Sequence, residues 1–482
     1  MKINAYFIAV VFGILLSACS SKKSANNFDR LLKKGNFALI EQQIDSLKKC
    51  KNTQWSNFEL DSIKQLIRGI RRDFSLSEVE MKKQLQKIFP KANDPKIIQW
   101  EKSKKLEMRY IDGEKRYFAN AVPNLQRLLT FDANKKKHPG FHVDPNPRTA
   151  SRLKHISEVI AQSTEHRNAV LPQNMLIAYT LTVKPNVVPA GKIIRCWLPS
   201  PREGNLRQTG FHLLKSEPLH YTLAPNDYQQ RTFYMEKIAI KNKPTIFSVQ
   251  FSIQTKAQYF NLKPGDIHPY DTTSSVYIKN TCERPPHIVF SPKIIALGKQ
   301  IVGQETNPLK KAEAIYRWIN DSIPWASALE YGTIPNIPEY VLTNRHGDCG
   351  MHTLLFITLA RSQGIPAKWQ SGFVIEPGHA GLHDWGEIYY EGIGWVPVDQ
   401  SYKLQPTDNV KIRNFYMHGI DAFRLIINDD YAQTLYPPKT HPRSEPYDFQ
   451  RGEVEWEGRN LYFDQWKWKI EAVHHRKKPL RK

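Results

Sequence analysis

The chain predicts an α+β protein whose core is a cysteine-bearing helix packed on an antiparallel sheet, preceded by a β-sandwich and an N-terminal helical domain. Three observations carry this. An apolar run from Met351 to Ala360 opens at Cys349 and stops at Gly364-Ile365-Pro366, the Gly-then-Pro ending of a helix. Extended segments follow at 367–375, 384–390 and 395–398, with the tight turn Gly392-Ile393-Gly394 between the last two. Upstream, apolar residues alternate in 175–183, 193–198, 232–240 and 246–255 between turn residues, as in an antiparallel sandwich.

Taken in order, the chain opens with Met1-Lys2, an apolar run from Ala5 to Leu16, and Leu16-Ser17-Ala18-Cys19. A charged start, a short hydrophobic stretch and small residues before a cysteine resemble a bacterial lipoprotein signal, too short to span a membrane comfortably. The expectation is removal of 1–18, lipidation of Cys19 and, because Ser20 rather than Asp follows, sorting to the outer membrane. Residues 19–27 read as a polar tether. In 28–133, Phe37, Leu39, Ile40, Ile44 and Leu47 recur with helical spacing, as do Phe58, Leu60, Ile63, Leu66, Ile67 and Ile70. Ser77 with Glu80 has the form of a capping box, and Asp94-Pro95 that of a cap and first helical position. A hairpin is expected over 109–118, turning at Asp112-Gly113. A linker and helix (134–168) lead to the sandwich (169–287), the core (288–412, with a helix over 312–320) and a C-terminal β extension with a basic tail (413–482).

The chain has 482 residues, 40% hydrophobic and 11% aromatic, enough for several cores, and its 32 prolines and 24 glycines imply many turns. The formal charge of +23 is spread along the chain rather than gathered in one arm. No nucleic-acid motif accompanies it, and an export signal argues against such a partner, which leaves a solvated basic surface or attraction to anionic envelope components. Besides Cys19 the cysteines are Cys50, Cys196, Cys282 and Cys349. An exported compartment permits a bridge among the first three, and Cys349 is expected to stay a thiol. There is no CxxC and no EF-hand loop, so neither a metal nor a cofactor is expected.

Cys349, His383 and Asp399 supply the three groups of thiol catalysis: a nucleophile, a base that also returns the proton, and a carboxylate that holds the base's tautomer. A helix N-terminus at Cys349 favours thiolate over thiol, and its N–H groups suit a developing oxyanion. Hairpin strands bring His383 and Asp399 to one sheet edge. His346, His352 and His379 compete for the base role, while Asp348 and Asp384 read as turn or cap residues.

Gly347-Asp348-Cys349-Gly350, His383-x-Trp385-x-Glu387-Ile388-Tyr389 and Gly394-Trp395-x-Pro397-Val398-Asp399 together resemble the transglutaminase-like superfamily with its papain-like core. The resemblance implies Cys349 as nucleophile, His383 as general base and acid, Asp399 as its partner, and Trp325, Gly350 and Trp385 around the oxyanion pocket. It also implies a thioester intermediate on peptide or protein amides, resolved by water or by an amine. The other function class the sequence allows is an inactive binding or assembly lipoprotein on the same fold.

Overall fold

The structure, a computed structural model, describes residues 21–50, 53–137 and 148–475. The signal segment, Cys19, most of the 134–147 connection and the end of the basic tail lie outside the described residues. Among those described, no helix is long and apolar enough to cross a membrane. The fold is α+β with antiparallel sheets, and the chain divides into two compact units.

The first unit comprises the described residues up to 137 with 285–287 and 324–348. Its helices are Ser21–Lys34, Phe37–Lys49, Asn57–Asp73, Glu78–Ile88, Asp94–Lys102, Ala121–Lys137 and Ile337–Asn344. The expected faces are inward: Phe37, Ile40 and Ile44, then Leu60, Ile63, Ile67 and Ile70, are buried, whereas Leu39 is exposed. Ser77 and Glu80 form the capping box. The cap before Asp94 is one residue earlier than expected, because the Asn93 side chain accepts the Lys96 N–H and moves Asp94 into the helix. Positive φ at Asp112 (49°) and Gly113 (88°) turns β2 (Met108–Ile111) into β3 (Glu114–Tyr117), and β1 (Leu76–Ser77) adds to β3. Residues 21–27, expected as a tether, lie in the first helix.

Residues 324–348, grouped by sequence with the core, pack in this helical unit. The Asn124 amide donates to Ser327 O and accepts from Ser327 N–H, both at 2.9 Å. The Asp73 carboxylate accepts from Glu330 N–H at 3.0 Å and Thr333 Oγ1 at 3.1 Å. Burial, then the nearby Glu330, pushes Asp73 up to about 7. Its folded value therefore exceeds its unfolded one, so its contribution is complete below pH 4 and is lost as pH rises toward 7. Asp73→Asn is expected to leave thermal stability unchanged near pH 4 and to raise it by about 1 kcal/mol or more at pH 8. Melting curves across that range check the sign; an equal shift at both ends would contradict it.

The second unit holds three sheets. The sandwich strands are β4 (Ala169–Val183), β5 (Ile193–Pro199), β6 (Gln208–Glu217), β7 (Thr222–Leu223), β8 (Thr232–Ile238) and β9 (Thr245–Tyr259). The remaining strands are β10 (Ala367–Glu376), β11 (His379–Tyr390), β12 (Gly394–Val398), β13 (Gly419–Ile420), β14 (Arg424–Asn428), β15 (Glu453–Trp456), β16 (Arg459–Asn460) and β17 (Trp466–His475). One sandwich sheet runs β13-β9-β4-β17 with β6 also on β9, the other runs β16-β15-β5-β8-β7, and the core sheet runs β12-β11-β10-β14. The C-terminal strands thus complete all three sheets. Phe373 and Ile375 of β10 and Leu425 and Ile427 of β14 join Tyr179, Phe233, Phe247 and Phe251 in one apolar cluster, so the back of the core sheet is packed on the sandwich.

Three elements differ from expectation. β6 escapes an alternation test because two register shifts against β9 break its period and leave Leu214 exposed. The segment 378–382, outside the extended segments expected from the sequence, is largely strand: β11 starts at His379, which pairs with Glu376 across a two-residue turn at Pro377 and Gly378, the latter with φ 77°. The helix expected over 312–320 extends to Pro308–Ser322 because Asn307 caps it through Leu309 and Lys310 N–H. Cys50, Cys196, Cys282 and Cys349 are all thiols, with Cys196 buried and Cys50 and Cys282 exposed.

Candidate active site

The helix Cys349–Ser362 is apolar on every side and buried from Gly350 to Arg361, the pattern of an interior helix. It packs on β10 and β11 and ends where Ile365 N–H returns to Ala360 O at 3.0 Å across Gly364, φ 76°. Cys349 is its first residue and is partly exposed, in the dipole environment that favours a thiolate.

His383 is on β11 opposite Gly372 of β10. That glycine is required: a Cβ there would come within 2.0 Å of Leu425 O on β14, so a side chain would part the sheet beside the histidine. Asp399 follows β12, and its Oδ2 lies 2.7 Å from His383 Nε2. Burial alone would raise Asp399, but the His383 ring and the Arg424 guanidinium outweigh it and hold the carboxyl at about 2. An ionised carboxylate only accepts, so Nε2 carries the proton and Nδ1 is the basic nitrogen. His383 stacks on Trp385, centroids 6.0 Å apart, and meets Tyr402 edge-on at 5.1 Å.

The sequence left Arg424 unassigned. It is fully buried, donates to Asp399 Oδ2 at 3.2 Å and to Asp421 Oδ1 at 3.0 Å, and stacks 4.0 Å over Tyr402. Ser401 Oγ and Tyr402 N–H donate to Asp399 Oδ1, and Tyr316 O–H donates to its backbone carbonyl. Nothing local in the sequence around Arg424 marks it; its place depends on β14 pairing with β10.

Asp384, expected as a turn or cap residue, is mid-strand and buried, and its Oδ2 accepts from Cys349 Sγ at 3.1 Å. Its Oδ1 accepts from Gln450 Nε2 at 2.8 Å, and the same amide donates to His383 O at 2.8 Å. Asp348, the other expected turn residue, belongs to the first unit and accepts from Tyr331 O–H at 2.7 Å.

Of the competing histidines, His346 belongs to the first unit and is pushed down to about 4 by burial. His352 is buried inside the cysteine helix. His379 is four residues before His383, about 13 Å along the strand, and is lowered by burial and by Arg148. Among the proposed pocket residues, Gly350 is in the first turn beside Cys349. Trp385 is fully buried with its indole N–H given to Gln370 Oε1 at 2.8 Å, which removes it as an oxyanion donor. Trp325 belongs to the first unit, is 40% exposed, and has Arg127 5.2 Å over its ring.

Residues 295–400 match the transglutaminase-like superfamily. This transglutaminase-like core spans the helices that precede Cys349, the cysteine helix, the hairpin and Asp399. The chain is 28% identical over 248 residues to an uncharacterised protein of Haemophilus influenzae; the match covers 45% of this chain and 66% of that one, a little under two thirds. Among solved structures it is similar to a candidate cysteine protease from Cytophaga hutchinsonii, at 15% identity and TM-score 0.43, covering 64% of this chain and 93% of that one. It is also similar to the periplasmic domain of TgpA from Pseudomonas aeruginosa, at 14% identity and TM-score 0.26, covering 51% and 91%.

Proposed function

We propose that the protein is an envelope-anchored thiol hydrolase or acyltransferase acting on peptide or protein amides. The observation that supports this best is the buried His383–Asp399 pair, which leaves Nδ1 as the base on a strand that packs against the cysteine helix. In the reaction, Cys349 gives its proton to His383 Nδ1 and Sγ attacks the amide carbonyl carbon. Helix-start N–H groups receive the oxyanion, and His383 returns the proton to the departing amine, leaving a thioester. Water or a second amine then attacks the thioester carbon, loses its proton to His383, and expels the Cys349 thiol. The lipoprotein-like signal ending at Cys19 supports an anchor at the membrane, in keeping with substrates among peptides and envelope components.

One observation favours the binding-protein alternative: the thiol donates to Asp384, the arrangement of a protonated sulfur at rest. Iodoacetamide labelling of the mature chain, followed by intact mass and peptide mapping, separates the two. An enzyme is expected to label at Cys349 at neutral pH about tenfold or more faster than a free thiol, and His383→Ala to abolish that advantage. Equal slow labelling in both proteins would leave the binding reading.

A further inference from the structure

We propose that one end of the sandwich, formed by the loops 184–192 and 239–244, docks on an anionic phospholipid surface and so sets how the catalytic unit faces the membrane. The proposal goes beyond the thiol-enzyme reading and does not depend on it.

The strand register brings the two loops together. β4 ends at Val183 opposite Thr245, where β9 starts, and Ile193 at the start of β5 lies opposite Ile238 at the end of β8. The loops are also clasped to each other. Asn186 Nδ2 donates to Asn242 Oδ1 and Asn242 N–H to Asn186 Oδ1, both at 2.9 Å, with the two asparagines in the left-handed region at φ 61° and 60°. Gly191 N–H donates to Ala239 O and Ala239 N–H to Lys192 O, again at 2.9 Å. The tip is therefore held in one shape before anything binds it.

Its side chains are apolar and basic. Phe233 and Met235 of β8 point into the core, so Ile238 falls on the outer face, and Ile193, Ile238 and Ile240 are 48%, 61% and 57% exposed. Lys184, Lys192, Lys241 and Lys243 are exposed in the same loops, and neither 184–193 nor 238–246 contains an acid. The carboxylates that reach this end are matched: Glu457 pairs with Lys192, Glu217 with Lys237 at 2.8 Å and Glu236 with Arg195 at 3.8 Å. Asp464 and Lys467, beside the start of β17, add no net charge. Among the described residues no carboxylate pairs with Lys184, Lys241 or Lys243.

Isoleucines among unpaired lysines fit the boundary between acyl chains and headgroups, where the apolar groups enter and the ammonium groups stay with the lipid phosphates. A protein partner fits less well, because lysine is depleted from the centres of protein interfaces. β4 and β9 share one apolar cluster with β10, on which the cysteine helix packs, so docking at their ends fixes the direction in which that helix faces.

The test is sedimentation of the mature chain, made with Cys19→Ser so that no lipid is attached, with vesicles of phosphatidylglycerol and phosphatidylcholine in a one-to-three ratio at about 0.1 M salt. Binding is expected to these vesicles and not to phosphatidylcholine alone. Lys241→Ser/Lys243→Ser and Ile238→Ser/Ile240→Ser should each lower the affinity about tenfold or more. Lys299→Ser/Lys411→Ser, which removes the same charge elsewhere on the unit, should stay within about twofold. In the unsubstituted loops, hydrogen exchange over 239–244 should slow when the anionic vesicles are added. No binding to those vesicles overturns the proposal, as does unchanged affinity in the isoleucine variant. An equal loss in the Lys299→Ser/Lys411→Ser protein also overturns it, since the diffuse positive charge would then be what binds. So does dimerisation in solution that Ile238→Ser/Ile240→Ser abolishes, because a second copy would then cover the tip. Labelling of Cys349 needs no vesicle, so failure of docking and failure of the enzyme reading are separate results.

Discussion

Arg424→Met is expected to destabilise the second unit by about 3–5 kcal/mol at neutral pH, because it strands two buried carboxylates at once. Asp399, Asp421 and Arg424 are each at most 1% exposed, and the guanidinium is the cation that both acids share. Removing it leaves Asp399 with His383, the Ser401 hydroxyl and the Tyr402 N–H, and Asp421 with the Tyr416 hydroxyl and the Phe423 N–H, none of which carries a permanent positive charge. Lysine is a poor replacement, since one ammonium cannot repeat a fork that reaches both acids from above Tyr402. The pH dependence gives an independent check. Asp399 sits at about 2 in the fold, below its unfolded value, so its contribution is present above about pH 4 and lost as pH falls toward 2. Without Arg424 that depression weakens, and the deficit of the variant should shrink below pH 4. Urea unfolding at pH 7 and pH 3 measures both statements, and a loss under about 1 kcal/mol at pH 7 would show that the carboxylates find other partners.

The contrast between Asp399 and Arg424 shows where sequence reasoning reaches its limit. Cys349, His383 and Asp399 lie on consecutive elements, so the periodicity of each element and the turns between them are enough to assign helix, hairpin and sheet edge from the residues alone. The same is true of β4 and β9, whose alternation is unbroken over most of their length. Arg424 and Gln450 reach the same neighbourhood through long-range pairing, from a stretch whose apolar clusters are legible as strands or turns but whose order in the sheets is not. β14 joins the core sheet, while β15 and β17 return to opposite sandwich sheets. A single sequence carries no signal for such an exchange. Asp384 failed for another reason: beside a histidine and a tryptophan it has the composition of a turn, and only the strand register, with Ser371 opposite, reveals that it is buried next to sulfur. The segment 324–348 shows the converse, being sequence-adjacent to the core but held by Asp73 and Asn124 of the helical unit.

Asp399→Asn is expected to slow labelling of Cys349 by about a hundredfold or more while the protein stays folded. The geometry leaves an amide no good orientation. Oδ2 faces the His383 Nε2 proton and an Arg424 N–H, and Oδ1 faces the Ser401 hydroxyl and the Tyr402 N–H. If the NH₂ group takes the Oδ2 position, it opposes Arg424 and forces His383 to present Nε2 as an acceptor. The proton then resides on Nδ1, which can no longer take one from the thiol. If the NH₂ group takes the Oδ1 position, it meets the Tyr402 N–H, and the loop after β12 must move. The first arrangement costs less, because the serine hydroxyl and Tyr402 N–H keep their acceptor, so loss of the base is the dominant effect and the fold should survive with Arg424 still paired to Asp421. The measurement is the labelling rate against pH beside a melting curve. A rate within threefold of wild type would mean that His383 keeps its tautomer without a carboxylate, and the role assigned to Asp399 would pass to Arg424-held packing instead.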